Sequence, residues 1–468
     1  MQRTGCVPML ASRVSRRPLK EGFLSSLSGI FKRASRPPRT IGELRDVLLE
    51  NLEAVFVNQA KYSLYICNEP VLTEGALALA LFLLSPNVPS ISNLSLAACG
   101  ITEVEDFANL LKGTTIVSLN LQGNEVKDFG FEHILFQLHD HLESLNLSGC
   151  RITKINAGLL ESCLFLQTLS LSENDLGSTG IEVIFRCLRN HLISLDVSSC
   201  NIASLNPDIL ADCLKLTRLE ICSNDIKEFG FNTILSSLSS TLSALRVSYC
   251  GIEHVEFELL FRCKMLNELD LSGNKIMDEG LQTVLRALSH QIIKLSVSNC
   301  EIRNINQEEL IKCLKLMDLD VSNNSINDSG LDIILNSLYK QIQTLNIENC
   351  SINKFPIGPF VKCQELKSLT IGSDGGLVTR QQTKILEAYK KMPAFQEINP
   401  LPKRVAYLIH SHRFKVVFLL CSVSLERIGC RSHFKMFPKE IVRMIANVYS
   451  YRKKSTAVHI PMPEDFLN

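Results

Sequence analysis

From residue 142 onward the chain repeats itself every 50 residues, and this periodicity restricts the fold more than any other feature. One class of segment reads Leu142-x-x-Leu145-x-Leu147-x-x-Cys150-x-Ile152 and recurs from Leu192, Leu242, Ile292 and Ile342. A second reads Leu166-x-x-Leu169-x-Leu171-x-x-Asn174-x-Leu176 and recurs from Leu216, Leu266, Leu316 and Leu366. Units therefore alternate between 24 and 26 residues. Earlier copies start at Ile91 and Ile116, and a degenerate one lies at Leu64, Ile66 and Val71, which makes about thirteen units.

The pattern carries its own physics. Leu145 and Leu147 alternate with polar residues at period two, the signature of a short strand with one face buried. Asn174 or Cys150 then turns the chain: Asn satisfies backbone groups of neighbouring turns, and Cys fills the same slot as a small apolar residue with a weak donor. In the longer units a glycine follows, at Gly130, Gly180, Gly230, Gly280 and Gly330, and after it come apolar residues at helical spacing such as Ile181, Ile184, Phe185 and Leu188. Each unit is a strand and a return, helical at least in the longer class. One unit cannot bury its apolar face alone, so the units must stack. With 46% hydrophobic residues and no Trp, the core is built from Leu, Ile, Val and Cys.

The strings LESLNLSGCRI, LISLDVSSCNI and LNELDLSGNKI, with their helical returns and Cys/Asn alternation, resemble the ribonuclease-inhibitor-like class of leucine-rich repeats. The resemblance covers roughly residues 61–378. It implies an α/β solenoid, a horseshoe of about thirteen units with a parallel concave sheet. Units of 24 and 26 residues are shorter than is usual in that class, so the convex returns are expected to be slim. The class includes inhibitors, GTPase activators and sensor proteins.

Of the seventeen cysteines, eleven are locked to the repeat. Cys99, Cys150, Cys200, Cys250, Cys300 and Cys350 sit at the corner, and Cys163, Cys213, Cys263, Cys313 and Cys363 on the returns. Successive members of either set are two units apart, about 10 Å at roughly 4.8 Å per strand, beyond the reach of a disulfide. They are expected to be reduced and buried, as in a cytosol or nucleus. The longest apolar stretches, Ala76 to Leu84 and Val416 to Val423, fall well short of the roughly 20 residues that cross a bilayer, and the N-terminus lacks the features of a secretory signal. A cytoplasmic protein is expected, with the nucleus as the alternative. Five sequons, at Asn93, Asn146, Asn323, Asn327 and Asn349, read as chance.

Motifs for chemistry are missing. No GxxxxGK[ST], HExxH, GxSxG or paired CxxC is present. His410, His412, Cys421, Cys430 and His433 offer zinc ligands, but at the spacing of no familiar module, and Cys421 lies in the apolar run VVFLLCSV. Gly372-Ser373-Asp374-Gly375-Gly376 reads as a turn. Neither catalysis, a metal nor another cofactor is expected.

The strand positions facing the concave surface are the candidate partner-binding site, because the scaffold displays them as a regular array. One row reads Asp196, Glu220, Arg246, Asp270, Ser296, Asp320; its neighbour reads Arg218, Ala244, Glu268, Lys294, Asp318. Six acids face three bases, with Tyr249 nearby, a surface suited to a basic or mixed-charge protein partner; simple solvated strand positions are the alternative.

Both ends are basic. Residues 1–40 carry nine Lys/Arg and one Glu, and residues 401–454 twelve Lys/Arg and two Glu. Such charge suits nucleic acid or an anionic membrane, and solvation accounts for it equally well. Residues 1–40 read as a disordered segment in which Phe23, Leu24, Leu27, Ile30 and Phe31 share a helical face, a pattern also found in membrane-surface and organelle-import segments. Residues 41–60 read as a helical cap, 61–378 as the solenoid, 379–400 as a closing helix and junction, 401–454 as a basic helical C-terminal module and 455–468 as a tail. Within that module Phe437, Pro438, Glu440, Ile441 and Ile445 resemble the first helix of an F-box, with Phe437 in place of the usual Leu. The resemblance implies docking on the adaptor of a cullin ubiquitin ligase. Three readings follow: a non-enzymatic binding scaffold, a ligase substrate receptor, and a GTPase-activating or inhibitor protein.

Overall fold

The computed structural model describes residues 91–372 continuously, together with Ala76 and the strand residues 63–65, 397–401, 406–410 and 415–419. It is a leucine-rich-repeat solenoid. A short strand opens each repeat between residues 91 and 372, with its Leu buried and most of the flanking residues turned outward, as period-two alternation requires; Ser95 and Ala244 are buried as well. The chain divides into two units, residues 1–266 and 267–468. In the first, β1 (Ser63–Tyr65), β2 (Asn93–Ser95), β3 (Ser118–Asn120), β4 (Ser144–Asn146), β5 (Thr168–Ser170), β6 (Ser194–Asp196), β7 (Arg218–Glu220) and β8 (Ala244–Arg246) pair in sequence order, all parallel. In the second, β9 (Glu268–Asp270), β10 (Lys294–Ser296), β11 (Asp318–Asp320), β12 (Thr344–Asn346) and β13 (Ser368–Gly372) do the same.

Returns of both classes are helical. The first unit holds α1 (Glu105–Leu111), α2 (Lys127–Leu138), α3 (Ala157–Glu161), α4 (Gly177–Leu188), α5 (Pro207–Ala211), α6 (Lys227–Ser237) and α7 (Phe257–Arg262). The second holds α8 (Met277–Leu288), α9 (Gln307–Leu310), α10 (Asn327–Leu338) and α11 (Ile357–Lys362). Three of the short helices start on Asn caps: Asn156, Asn206 and Asn306 extend their backbones and accept from the N–H groups of Leu159, Asp208 and Glu309. The long helices begin before the glycine that the sequence suggests as their start. Gly280 is the fourth residue of α8, and a Cβ there would lie 2.6 Å from Ile276 Cβ, so close approach selects glycine inside a helix that would otherwise favour Ala.

Corners alternate between two hydrogen-bonding devices. Asn174, buried, accepts from Cys150 N at 3.1 Å and Ile152 N at 2.8 Å and donates to Leu147 O at 2.9 Å and Leu171 O at 2.8 Å. Asn124 and Asn224, one period away on either side, and Asn324, three periods on, do the same. At the Cys corners the thiol donates back to the preceding repeat, from Cys200 to Leu171 O at 3.1 Å and from Cys350 to Val321 O at 3.1 Å. Every cysteine among the described residues is outside a disulfide, and the eleven repeat-locked ones are buried. Burial pushes the thiols of Cys300 and Cys350 up to about 12 and that of Cys150 to about 11, so they stay protonated donors at neutral pH.

A further ladder, absent from the sequence reading, ties the outer edge. The second residue of each long helix accepts from two backbone N–H groups of the next repeat: Asp128 Oδ1 from Thr153 N at 2.6 Å and Lys154 N at 3.1 Å, Ser178 Oγ from Ala203 N at 3.1 Å and Ser204 N at 3.0 Å, Asp278 Oδ1 from Arg303 N at 2.6 Å and Asn304 N at 3.0 Å, Asp328 Oδ1 from Asn353 N at 2.7 Å and Lys354 N at 2.9 Å. Partial burial pushes the Asp128 and Asp278 carboxyls up, and these hydrogen bonds more than reverse it, holding both below the usual value of 3.8.

The C-terminal module departs from expectation. Where the sequence suggests a closing helix and junction over 379–400 and a helical module over 401–454, the described residues form strands: β14 (Glu397–Leu401) runs parallel to β13, and β15 (Ala406–His410) and β16 (Lys415–Leu419) continue antiparallel. AYLIH and KVVFL are rich in β-branched and aromatic residues and too short for a stable helix, so strand pairing wins. The expected N-terminal segment 1–40, the cap 41–60, the closing helix over 379–391 and the tail lie outside the described residues.

Candidate functional site: the exposed strand face

The outward residues of each strand are those nominated from the sequence, and the structure places them in two sets. In the first unit, β6 carries Asp196, β7 carries Arg218 and Glu220, β8 carries Arg246, and Tyr249 follows at the corner. Arg218 aligns with Ala244 and Glu220 with Arg246 across the β7–β8 pair, and Asp196 aligns with Glu220 on the other side. Glu220 pairs with Arg246 on the neighbouring strand, Nη1 lying 3.3 Å from Oε2, and has Arg218 of its own strand close by, Nη1 3.9 Å from Oε1. In the second unit, Glu268 and Asp270 on β9 align with Lys294 and Ser296 on β10, and these with Asp318 and Asp320 on β11. Lys294 Nζ lies 3.1 Å from Glu268 Oε1.

Some of these charges have local work. Asp196, Asp270 and Asp320 each accept, through Oδ1, the N–H two residues on, from Ser198, Ser272 and Ser322 at 3.1, 3.0 and 2.9 Å. Asn120, Asn146 and Asn346 make the same turn bond. The turn therefore explains an Asx residue but not its charge. Asp320 Oδ2 also accepts from Asn346 Nδ2 at 2.9 Å, and Asp196 Oδ2 from Ser170 Oγ at 3.1 Å.

Comparison of repeats within the chain separates scaffold from function. In the row of Arg218, the end strands carry Ser118, Ser144, Thr168 and Ser194, and later Thr344 and Ser368, while β7, β9, β10 and β11 carry Arg, Glu, Lys and Asp. In the row of Asp196, the end strands carry Asn120, Asn146, Ser170, Asn346 and Thr370. Among the repeat strands β2 to β13, charge in these two rows falls only on β6 to β11, although the same strand backbone in β2 to β5, β12 and β13 is content with small neutral residues. The sequence reading missed the pairing of Glu220 and the turn bonds; for the latter, the i to i+2 spacing of Asx and the following residue was the only signal. Among the described residues no group of three His, Cys, Asp or Glu side chains could hold a metal ion, and no helix is long and apolar enough to cross a membrane. The F-box-like residues Phe437, Pro438, Glu440, Ile441 and Ile445 lie outside the described residues.

With this geometry in hand, comparisons agree on the repeat. Leucine Rich repeat family models match residues 162–185, 262–285 and 312–333, and a second Leucine Rich Repeat model matches 141–163. No catalytic family is among them. Comparison with curated proteins gives no match. Among solved structures, an internalin (inlF) from Listeria monocytogenes is 17% identical with a TM-score of 0.46, covering 76% of this chain and 96% of that one. An internalin C2 from the same organism is 21% identical with a TM-score of 0.34, covering 46% of this chain and 84% of that one. At those values the likeness says nothing of function.

Proposed function

We propose that the chain is a non-enzymatic scaffold that binds a protein partner on the outward strand face, through the charged residues of β6 to β8 in the first unit and β9 to β11 in the second. The observation that carries this reading is that, among the repeat strands, charge in the two rows falls only on those strands while β2 to β5, β12 and β13 carry Ser, Thr and Asn. Exposed charges add little to stability, so a fold has no need to concentrate them. A rigid, regularly spaced array of charged side chains is what specific recognition uses. Helices on both classes of return support the ribonuclease-inhibitor-like kind of repeat. The cytoplasm or nucleus is the compartment we propose, on the strength of many buried, reduced cysteines.

Site-specific photo-crosslinking tests the reading. A photo-reactive residue at Asp318, on the strand face, should trap a partner from native lysate, and one at Asn336, on the exposed side of α10, should not. Trapping only from Asn336 would move the site to the helices. The ligase-receptor reading rests on Phe437 to Ile445: Ile441→Asp with Ile445→Asp should abolish capture of ligase subunits if that helix docks on the adaptor.

A further inference from the structure

In the second unit, the edge at which β11, β12 and β13 begin differs from the strand face in both charge and polarity. Segments 311–317, 339–343 and 361–367 hold five lysines, Lys312, Lys315, Lys340, Lys362 and Lys367, against the carboxylate of Glu365. The strand face of the same unit carries Glu268, Asp270, Asp318 and Asp320 against Lys294. Among the lysines stand three large apolar side chains, Ile311 at 51% exposed, Leu314 at 73% and Met317 at 37%. The patch is continuous from repeat to repeat. Gln343 Nε2 donates to Met317 Sδ at 3.5 Å, and Gln343 Oε1 accepts from Lys367 Nζ at 2.8 Å. Gln341 Nε2 donates to Cys313 O at 3.2 Å, which ties the turn carrying Lys340 to the turn carrying Leu314. Lys312 pairs with Glu309 at 3.0 Å, but that carboxylate is largely covered while the lysine stays exposed. The scaffold does not require the apolar residues: the slot of Leu314 holds Leu164 and Leu214 but also Lys264 and Gln364, and the slot of Met317 holds Gln167 and Thr217.

We propose that this edge rests on an anionic phospholipid bilayer, with Ile311, Leu314 and Met317 entering the headgroup layer and the lysines facing the lipid phosphates and carboxylates. Apolar side chains interleaved with cations are what an interfacial contact requires, since burial and attraction to anionic lipid add together. Every cation on the edge is Lys, a compact charge on a flexible stem that suits a diffuse anionic surface. Directional capture of one carboxylate or phosphate would favour the planar fork of Arg. Single-stranded nucleic acid stacks its bases on aromatic rings, and the exposed apolar side chains here are not aromatic; Tyr339, the one ring in these segments, is half-buried. The acidic strand face is repelled by the same bilayer, which turns the edge towards the lipid and leaves the face open to a protein. The proposal is independent of which partner that face takes.

The chain has no Trp, so Leu314→Trp installs a single reporter within the patch. The full chain carrying it is mixed with vesicles of phosphatidylcholine, alone or with phosphatidylserine. With phosphatidylserine its emission should shift to the blue and be quenched by brominated acyl chains. Lys275→Trp, beyond the other end of β9 and also exposed, should show neither change. Lys315→Glu with Lys340→Ser, which installs the residues that Glu365 and Ser240 place in the same slots, removes three charges. At about fivefold per charge, cosedimentation with the phosphatidylserine vesicles should weaken on the order of a hundredfold, with the melting temperature near that of the parent. Vesicle binding that leaves the Leu314→Trp emission unshifted would put the contact at another part of the chain, such as its basic ends, and overturn the proposal. Undiminished binding by the lysine variant, equal binding to phosphatidylcholine alone, or binding to polyglutamate or RNA in place of the vesicles would overturn it as well.

Discussion

Replacing Asn174 with Ala removes one side chain and strands several backbone groups. Cys150 N and Ile152 N both lose the Oδ1 acceptor, and Leu147 O loses the Nδ2 donor, all in a buried corner. Leu171 O keeps the Cys200 thiol, 3.1 Å away, and so is not left bare. Two unsatisfied N–H groups at about 1–3 kcal/mol each, with a small contribution from the carbonyl, put the loss at about 3–5 kcal/mol. That is a large share of the roughly 5–15 kcal/mol that holds a domain together. Asn174→Cys should fall between Ala and the parent, because a thiol supplies the donor used at the alternate corners but a poor acceptor for the two N–H groups. Urea denaturation followed by circular dichroism measures the difference, and amide exchange at Cys150 and Ile152 locates it. A loss under about 1 kcal/mol, or equal loss for Cys and Ala, would refute the assignment of the corner as a hydrogen-bond ladder.

Three further outcomes are expected. Gly280→Ala should destabilise by about 1–2 kcal/mol, since overpacking against Ile276 Cβ outweighs the gain in helix propensity; a raised melting temperature would contradict it. The outer ladder should fail in acid: carboxyls held below their unfolded values add stability above those values and lose it as pH falls through the depressed ones, so Asp128→Asn with Asp278→Asn should flatten the fall in stability as pH drops below the ordinary carboxyl value of 3.8. An unaltered acid transition would show that those hydrogen bonds do not hold in solution. In the folded protein, a thiol reagent followed by peptide mass analysis should leave the eleven repeat-locked cysteines unlabelled until denaturant is added, while the half-buried Cys222 reacts; protection of Cys222 or rapid labelling of Cys250 would refute the burial pattern.

What the sequence discloses is whatever acts locally and recurs. The Leu positions of the strand, the Asn and Cys corners and the helical spacing of the returns declare themselves because each copy repeats the same requirement. Asp128 does not, because its partners are backbone N–H groups 25 and 26 residues away, which impose no residue type at Thr153 or Lys154. Gly280 reads as a helix boundary from sequence because glycine usually marks one; only the distance to Ile276 shows that it lies within the helix. Beyond β13 the repeat no longer supplies a template, and the apolar run around Val416 suits a buried helix or a strand equally, so length and β-branching decide for strand. On the strand face the sequence identifies the charged rows but not their pairing. Nor does it reveal that Asp196 serves a turn that Asn146 serves equally well.

The most direct measurement uses a chain in which the charged face residues take the identities found on the end strands: Asp196→Asn, Arg218→Ser, Glu220→Asn, Arg246→Asn, Glu268→Ser, Asp270→Asn, Lys294→Ser, Asp318→Thr and Asp320→Asn. Asn keeps the turn bonds at Asp196, Asp270 and Asp320, so the melting temperature should stay near that of the parent. Quantitative affinity capture from the same lysate with parent and neutral-face protein should then show the parent's partner lost from the variant. Recovery of that partner in equal amount by the neutral-face protein would contradict the claim that the strand face is where this scaffold binds.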